Sequence, residues 1–491
     1  MHAVDHAIIA LYILGILALG FAVSRRIGGF RDWFIAGGTM TTPVLVCTLV
    51  STYYGLDVLF GASEVGFVDG VVGWFFYSRP YYLAILVAAV FFARRLRRGA
   101  FLSLPDVAAA AYGRGTQVVV AVASFVYALP MLAVMGIGLV LEVVLGVPFV
   151  WGVLAGAAVS VIYTLMGGLL ADALTDTVQF TLMCVTLGIA AALALDASGG
   201  VAALRTALPA SYFEPRGTYP GAVLAVFGIG ALSVLVEPAF YQRIFAADSY
   251  RSVLVALAIG VVLWAAFDWI VTLLGMTAAA IGLDVEPRSA LLALTLDVLP
   301  IGLKGLFIAG VIATAMSTID SYLLIAGGNL SYDLYRPLAR TGPGDTELLR
   351  LTRIGVVISA IVTIAFALFF TSMVSAWVFM ASILVSSALV PIVGALFLRL
   401  PLRPAAGLAS SLAGLLVAAA VFLLTNVYGA YNEEWGTRIW SVTAGARTFD
   451  IWQEYAVLFA LPASAGAFLL GQIFGRAAGT TAPVHAMTEA P

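Results

Sequence analysis

Hydrophobic residues run along this chain in long blocks separated by short polar stretches, and the blocks predict helices. A helix needs about 20 apolar residues to cross a bilayer. Thirteen blocks meet that length, at 6–24, 41–63, 71–93, 117–145, 148–169, 175–196, 219–244, 252–282, 303–333, 352–372, 374–397, 404–425 and 453–474. Residues 1–475 thus read as one integral membrane domain, followed by a small, polar tail at 476–491 expected to be disordered. Two segments outside the spans are long enough to hold structure. Residues 283–302 contain an amphipathic run suited to a short helix on the membrane, and residues 426–452, with Trp435, Trp440 and Trp452, read as an interfacial loop.

Polar residues interrupt the blocks where a bilayer would penalise them. In the ninth span Thr314, Ser317, Thr318 and Ser321 recur at i, i+3, i+4 and i+7, on one helix face, with Asp320 beside them. Hydroxyls alone fit a helix–helix interface. The carboxylate fits an ion site better. The second span is broken by Ser51-Thr52-Tyr53-Tyr54-Gly55, followed by Asp57, and the seventh by Gly228, Gly230 and the pair Glu237-Pro238. Proline removes a backbone donor and breaks a helix. Each break alone reads as a kink. Two breaks five spans apart, with carboxylates nearby, read as the discontinuous helices of an inverted-repeat transporter, whose freed carbonyls can coordinate a cation.

Further intramembrane charges are Arg79 and Asp268, and, near the cytoplasmic start of a span, Asp172 and Asp176. Each costs roughly 2.5–3.5 kcal/mol at a helix centre unless paired or wetted. Arg79 has two readings, as a tie to Asp57 or as a contact to solute. Asp268 is evenly balanced between a structural role and a functional one.

Composition agrees with a membrane protein and removes other classes. The chain of 491 residues is 62% hydrophobic and 10% charged, against about 25% charge in soluble domains. A net charge of −2 points to no nucleic acid or other charged partner, and no obligatory protein partner is evident. Cys47 and Cys184 lie inside apolar runs, and His2, His6 and His485 lie near the ends, so no disulfide framework, metal centre or nucleophile–histidine pair is expected. There is no phosphate-binding loop, which argues against an ATP-driven pump, and no organic cofactor motif; an enzyme ranks last. The first block lacks a basic flank and a cleavage site, and reads as a retained helix. Arginines cluster after the odd-numbered spans: Arg25, Arg26 and Arg31, then Arg94, Arg95, Arg97 and Arg98, then Arg243 and Arg251, Arg336, Arg340 and Arg350, and Arg399 and Arg403. That asymmetry places the N-terminus outside and the C-terminus in the cytoplasm of a plasma membrane, and the compact loops suggest a bacterial inner membrane.

Three motifs carry a family resemblance. The run GGLLADALTDTVQF resembles the GG-x-x-A-x-x-x-T-D-x-x-Q signature of the sodium/solute symporter family, PAFYQRIFAADS resembles its QR-x-x-A-A segment, and ATAMSTIDSYLL resembles its sodium-site helix. The resemblance implies an all-α LeuT-like core of two inverted five-helix repeats, spans two to six (41–196) and seven to eleven (219–397), with one helix before it and two (404–474) after. It implies transport of a small solute driven by Na+. The sodium would be bound by backbone carbonyls of Ser51, Tyr54 and Thr314 and the hydroxyls of Ser317 and Thr318, all hard oxygen ligands. A second cation site would use Asp176, Asp320, Ser321 and Ser317, with Asp320 standing where relatives have a hydroxyl. The solute pocket would lie near Tyr53, Asp57, Arg79, Glu237 and Tyr241. Glu237 replaces an amide of the sugar cotransporters, and a pocket with both signs of charge suits an amino acid or other zwitterion. If Asp57 neutralises Arg79, the solute is instead neutral or cationic. Sugar or monocarboxylate symport and a transporter-like sensor are the alternatives; the absence of a soluble domain after the last span argues against the sensor.

Overall fold

The computed structural model describes residues 1–24, 29–97, 99, 101–217, 219–339, 342–370, 373–432, 437–445 and 447–475. Arg25, Arg26, Arg98, Arg340, Trp435 and the tail 476–491 lie outside the described residues. Among those described, eleven helices are long and apolar enough to cross a membrane. The pair Thr42–Tyr53 and Leu56–Asp69, bent by 55°, makes a twelfth crossing if taken as one span. The remaining apolar block forms the shorter helix Phe149–Leu165.

Local sequence explains the breaks that matter for the site. Helix Thr42–Tyr53 starts with Pro43 in its first turn and stops at Tyr54, whose ψ of 64° leaves the helical region, before Gly55 caps the next helix in extended conformation. The seventh predicted span runs as Gly221–Gly230, tightens to a 3-10 stretch over Ala231–Val236, and restarts at Pro238. Glu237 is the N-cap of that restart: its carboxylate accepts from the Phe240 amide at 2.6 Å. Proline at the first helical position and an acidic N-cap are favoured there. A third break falls at Gly168, with φ 55° and ψ −170°, separating the predicted fifth and sixth spans. A Cβ at Gly168 would sit 2.5 Å from Trp33 Cδ1 and 2.7 Å from the Trp33 carbonyl oxygen, so the close approach and the positive φ both require glycine.

The polar-striped helix Leu303–Gly328 lies at the centre; nearly all of its residues are buried, and it packs on Phe149–Ala197, on Asp345–Phe369 and on the N-terminal helix Ala3–Ser24. Both of its ends are pinned. Buried Asp5 accepts from the backbone amides of Gly302 (2.7 Å) and Gly305 (2.9 Å), a carboxylate at the positive end of the helix. Beyond the far end, in the π-helical turn Asn329–Tyr335 and just after it, Tyr332 and Arg336 both bond Asp106, at 2.8 and 3.1 Å, and Ser103 donates to buried Asp333 at 2.6 Å. Helix Tyr250–Ala280 runs against Leu56–Asp69 so closely that a Cβ on Gly275 would fall 2.1 Å from the Ser63 carbonyl oxygen.

Two segments differ from the sequence reading. The amphipathic run forms the helix Ala290–Val298, but Leu291, Leu292 and Leu294 join the protein core rather than resting on a membrane surface. Residues 426–452 are not a loop. Strands Ala430–Asn432, Thr437–Ala444 and Arg447–Trp452 form an antiparallel sheet, with Ala430 opposite Ile439 and Ile439 opposite Trp452, and Gly445 turns the second strand into the third. Alternating Thr, Ile, Val and aromatic residues favour this pairing, while the three tryptophans drew the reading toward an interfacial loop.

Candidate functional site

Where the first broken helix meets the central helix, oxygen atoms converge. Ser317 Oγ lies 2.9 Å from the Ser51 carbonyl and 3.0 Å from that of Thr314; Thr318 Oγ1 lies 3.2 Å from the Thr52 carbonyl and 3.1 Å from that of Thr314. All five residues are buried. Four of the five predicted first-site residues, Ser51, Thr314, Ser317 and Thr318, are therefore together. Tyr54, the fifth, ends the helix here, and its side chain packs on Phe267. The Thr52 carbonyl was not foreseen; it follows that of Ser51 directly in the chain, at the last residues before the break. A cluster of neutral oxygens, none of which bonds a cationic side chain among the described residues, fits a hard monovalent ion.

One turn away the arrangement is different. Arg243 is fully buried, although its position after a span had placed it among loop arginines. Its guanidinium donates to Ser321 Oγ (2.5 Å), Thr52 Oγ1 (2.6 Å) and Thr48 Oγ1 (3.0 Å), and pairs with Asp172 at 3.1 Å and Asp176 at 3.8 Å. Thr48 in turn donates to Asp176 at 2.5 Å. Asp176 and Ser321, predicted for a second cation site, thus already face a cation from the protein itself. Asp320 is turned elsewhere: it accepts from Thr164 at 3.2 Å and borders a void of about 10 Å³ with Asp172 and Gly168. The expected Asp176–Asp320 pairing is replaced by an Asp172–Arg243–Asp176 triad. Asp176 and Ser321 therefore share their surroundings with the Arg243 guanidinium, while Asp172 and Asp320 border the small void. The signal for Arg243 was its place in the QR-x-x-A-A segment, which marked the residue without showing that it turns inward.

Next to the oxygen cluster, and sharing Thr52 and Thr318 with it, lies a cavity of about 110 Å³. Seven tyrosines and two tryptophans contribute to its wall, together with Asp57 and Asp268. Asp57 sits in the first turn of Leu56–Asp69, at the positive end of that helix. Asp268 is buried; one of its oxygens accepts from the Tyr82 hydroxyl and Oδ1 has no partner. Tyr54 Oη and Trp264 Nε1, also from wall residues, are likewise buried without partners. Buried polar atoms left unsatisfied ask for a ligand or solvent.

Of the five predicted solute residues, Tyr53 and Asp57 line the cavity. Glu237 stands behind the wall: it is fully buried, and its carboxylate accepts from the hydroxyls of Tyr53 and Tyr322, the latter at 2.7 Å. Tyr241 is buried among Phe240 and Phe245, away from the cavity. Arg79 is exposed, its guanidinium 5.4 Å from the Phe75 ring centroid, on the same stripe as exposed Leu83, Leu86 and Val90. It neither meets Asp57 nor enters the cavity. Helix periodicity explains this: Ser78, Tyr81, Tyr82 and Ile85 take the inward face and leave Arg79 outside.

A wider vestibule of about 400 Å³ adjoins the cavity through Asp57, Tyr77 and Trp377, and is bordered by Glu64, Asp69 and Glu454. The Tyr77 and Trp377 rings meet at 5.2 Å, edge to face, between the two spaces.

A broken helix, an oxygen cluster and an adjoining cavity form the geometry of ion-coupled transport, and comparison with known proteins identifies the type. The model of the sodium:solute symporter family matches residues 33–414. The chain belongs to that family. The sodium/proline symporter of Salmonella typhimurium is 24% identical over 381 residues, covering 73% of this chain and 75% of that protein. The sodium/glucose cotransporter of Vibrio parahaemolyticus is 22% identical over 401 residues, covering 73% and 74%. A solved Na+-coupled sialic acid symporter in a substrate-bound outward-open state shares the fold, with a TM-score of 0.76 and 16% identity over 98% of this chain and all of that one. Membership of the sodium:solute symporter family makes the protein a multi-pass membrane transporter, not an enzyme.

Proposed function

We propose that this protein is a sodium-coupled symporter that imports a small polar organic solute by alternating access, with one sodium at the Ser51, Thr52, Thr314, Ser317 and Thr318 oxygens. The observation that carries the reading is the convergence of two hydroxyls and three carbonyls, all buried, at the break of Thr42–Tyr53. The carbonyl of Tyr54 completes the ligand set in this proposal. The proposed architecture is thirteen spans, with two inverted repeats of five between one leading and two trailing helices. The N-terminus lies outside a plasma membrane and the C-terminus inside. The lipid bilayer, the solute and sodium are the only partners this reading needs. The zwitterion reading loses the support it drew from Arg79, which does not reach the cavity.

Binding of radioactive 22Na+ to purified protein tests the sodium site without knowledge of the solute. Saturable binding is expected, and the joint change Ser317→Ala and Thr318→Ala should abolish it while leaving the elution profile on size exclusion unchanged. Undiminished binding in that variant, or none in the wild type, refutes the assignment.

A further inference from the structure

We infer that the solute is a compact organic cation, an ammonium without an anionic group. This rests on the sodium-symport reading and specifies its solute site. Three observations carry it.

The first is charge. Asp57 and Asp268 both border the cavity, and among its lining residues there is no Lys, Arg or His. A carboxylate-bearing solute would enter a cavity that already holds two carboxylates and offers its own carboxylate no cation. The oxygen cluster shares Thr52 and Thr318 with the wall, so one bound sodium and one monovalent ammonium would balance the two aspartates. Each ion then improves the site for the other, which is a physical basis for coupling. The acidic vestibule, with Glu64, Asp69 and Glu454, lies on the same approach and favours positive charge before the cavity is reached.

The second is the wall. Tyr53, Tyr77, Tyr81, Tyr127, Trp264 and Trp377 present ring surface to one space. Aromatic faces attract cations through their quadrupoles, and cages of such rings are the recognised mode of binding quaternary ammonium groups. The same rings offer little to a polyhydroxylated sugar, which needs several paired donors and acceptors.

The third is size and vacancy of hydrogen-bond capacity. An apolar cavity of about 150 Å³ holds benzene; at about 110 Å³ this one suits a solute of similar or smaller bulk. Asp268 Oδ1, buried and without a partner, is an acceptor awaiting a donor or a positive centre.

The test measures quenching of intrinsic tryptophan fluorescence in saturating sodium, with Trp264 and Trp377 in the wall as reporters. The probes are tetramethylammonium, choline, the neutral choline isostere 3,3-dimethyl-1-butanol, proline and glucose. The ammonium probes should bind, and choline at least tenfold more tightly than its isostere. Asp268→Asn should weaken choline binding at least tenfold, and Asp57→Asn should do the same independently; an unchanged elution profile on size exclusion in each variant shows that the fold survives. Equal affinity for choline and its isostere overturns the inference. So does binding of proline or glucose in preference to the ammonium probes, or failure of both ammonium probes to bind protein that still binds sodium. Loss of sodium binding in the wild type would instead overturn the symport reading beneath it.

Discussion

Replacing Arg243 by Met tests the buried charge triad. Methionine keeps much of the apolar stem and removes the guanidinium. Three hydroxyls lose a donor, but they can re-pair: Thr52 and Ser321 already lie 3.1 Å apart, and Thr48 already donates to Asp176. The large term is the charge. Asp172 and Asp176 are buried, and Arg243 is their only salt-bridge partner among the described residues. Removing one partner of a buried pair costs about 3–5 kcal/mol, because the other charge is left unpaired. We expect Arg243→Met to destabilise by that amount. Asp172→Asn in the same chain should recover about 2 kcal/mol, since one stranded charge is then gone and the Asn still bonds Ser321. The assay is a double-mutant cycle on reversible unfolding by SDS in mild detergent. A loss below about 1 kcal/mol in the single variant, or additivity within about 0.5 kcal/mol, would refute the claim that the buried guanidinium holds the two carboxylates in place.

Gly275→Val should destabilise the protein by more than about 2 kcal/mol, measured in the same unfolding assay, because its side chain would meet the Ser63 carbonyl oxygen that already lies 2.1 Å from a bare Cβ; wild-type stability would show that the two helices separate easily. Arg79→Ala should leave both 22Na+ binding and choline affinity within about twofold of wild type, since the side chain is exposed and outside the cavity; a tenfold change in choline affinity would return Arg79 to the solute site.

Much of the architecture was legible in the sequence because a bilayer requires long apolar blocks, and such blocks survive any detail of packing. The breaks at Gly55 and Pro238 were legible because glycine and proline act locally. The oxygen cluster was legible because its hydroxyls share one helix face. What stayed hidden depends on helix rotation and on partners distant in sequence. Arg79 and Tyr81 are two residues apart, yet one faces outward and the other the cavity. Asp172 and Arg243 meet across 71 residues, so neither block could announce the pairing. Trp264, Tyr127 and Trp377 read as ordinary apolar content until three separate helices bring them to one wall.

Glu237 ties together parts that alternating access would have to move. Its one carboxylate receives the hydroxyl of Tyr53 from the first broken helix and that of Tyr322 from the central helix, while capping the restart of its own. Any sliding of these three elements past one another strips phenols from a buried carboxylate. Halfway positions are therefore the costly ones. Under the proposed alternating access the contact would act as a detent, favouring the posture in which all three bonds are made over any posture that breaks them.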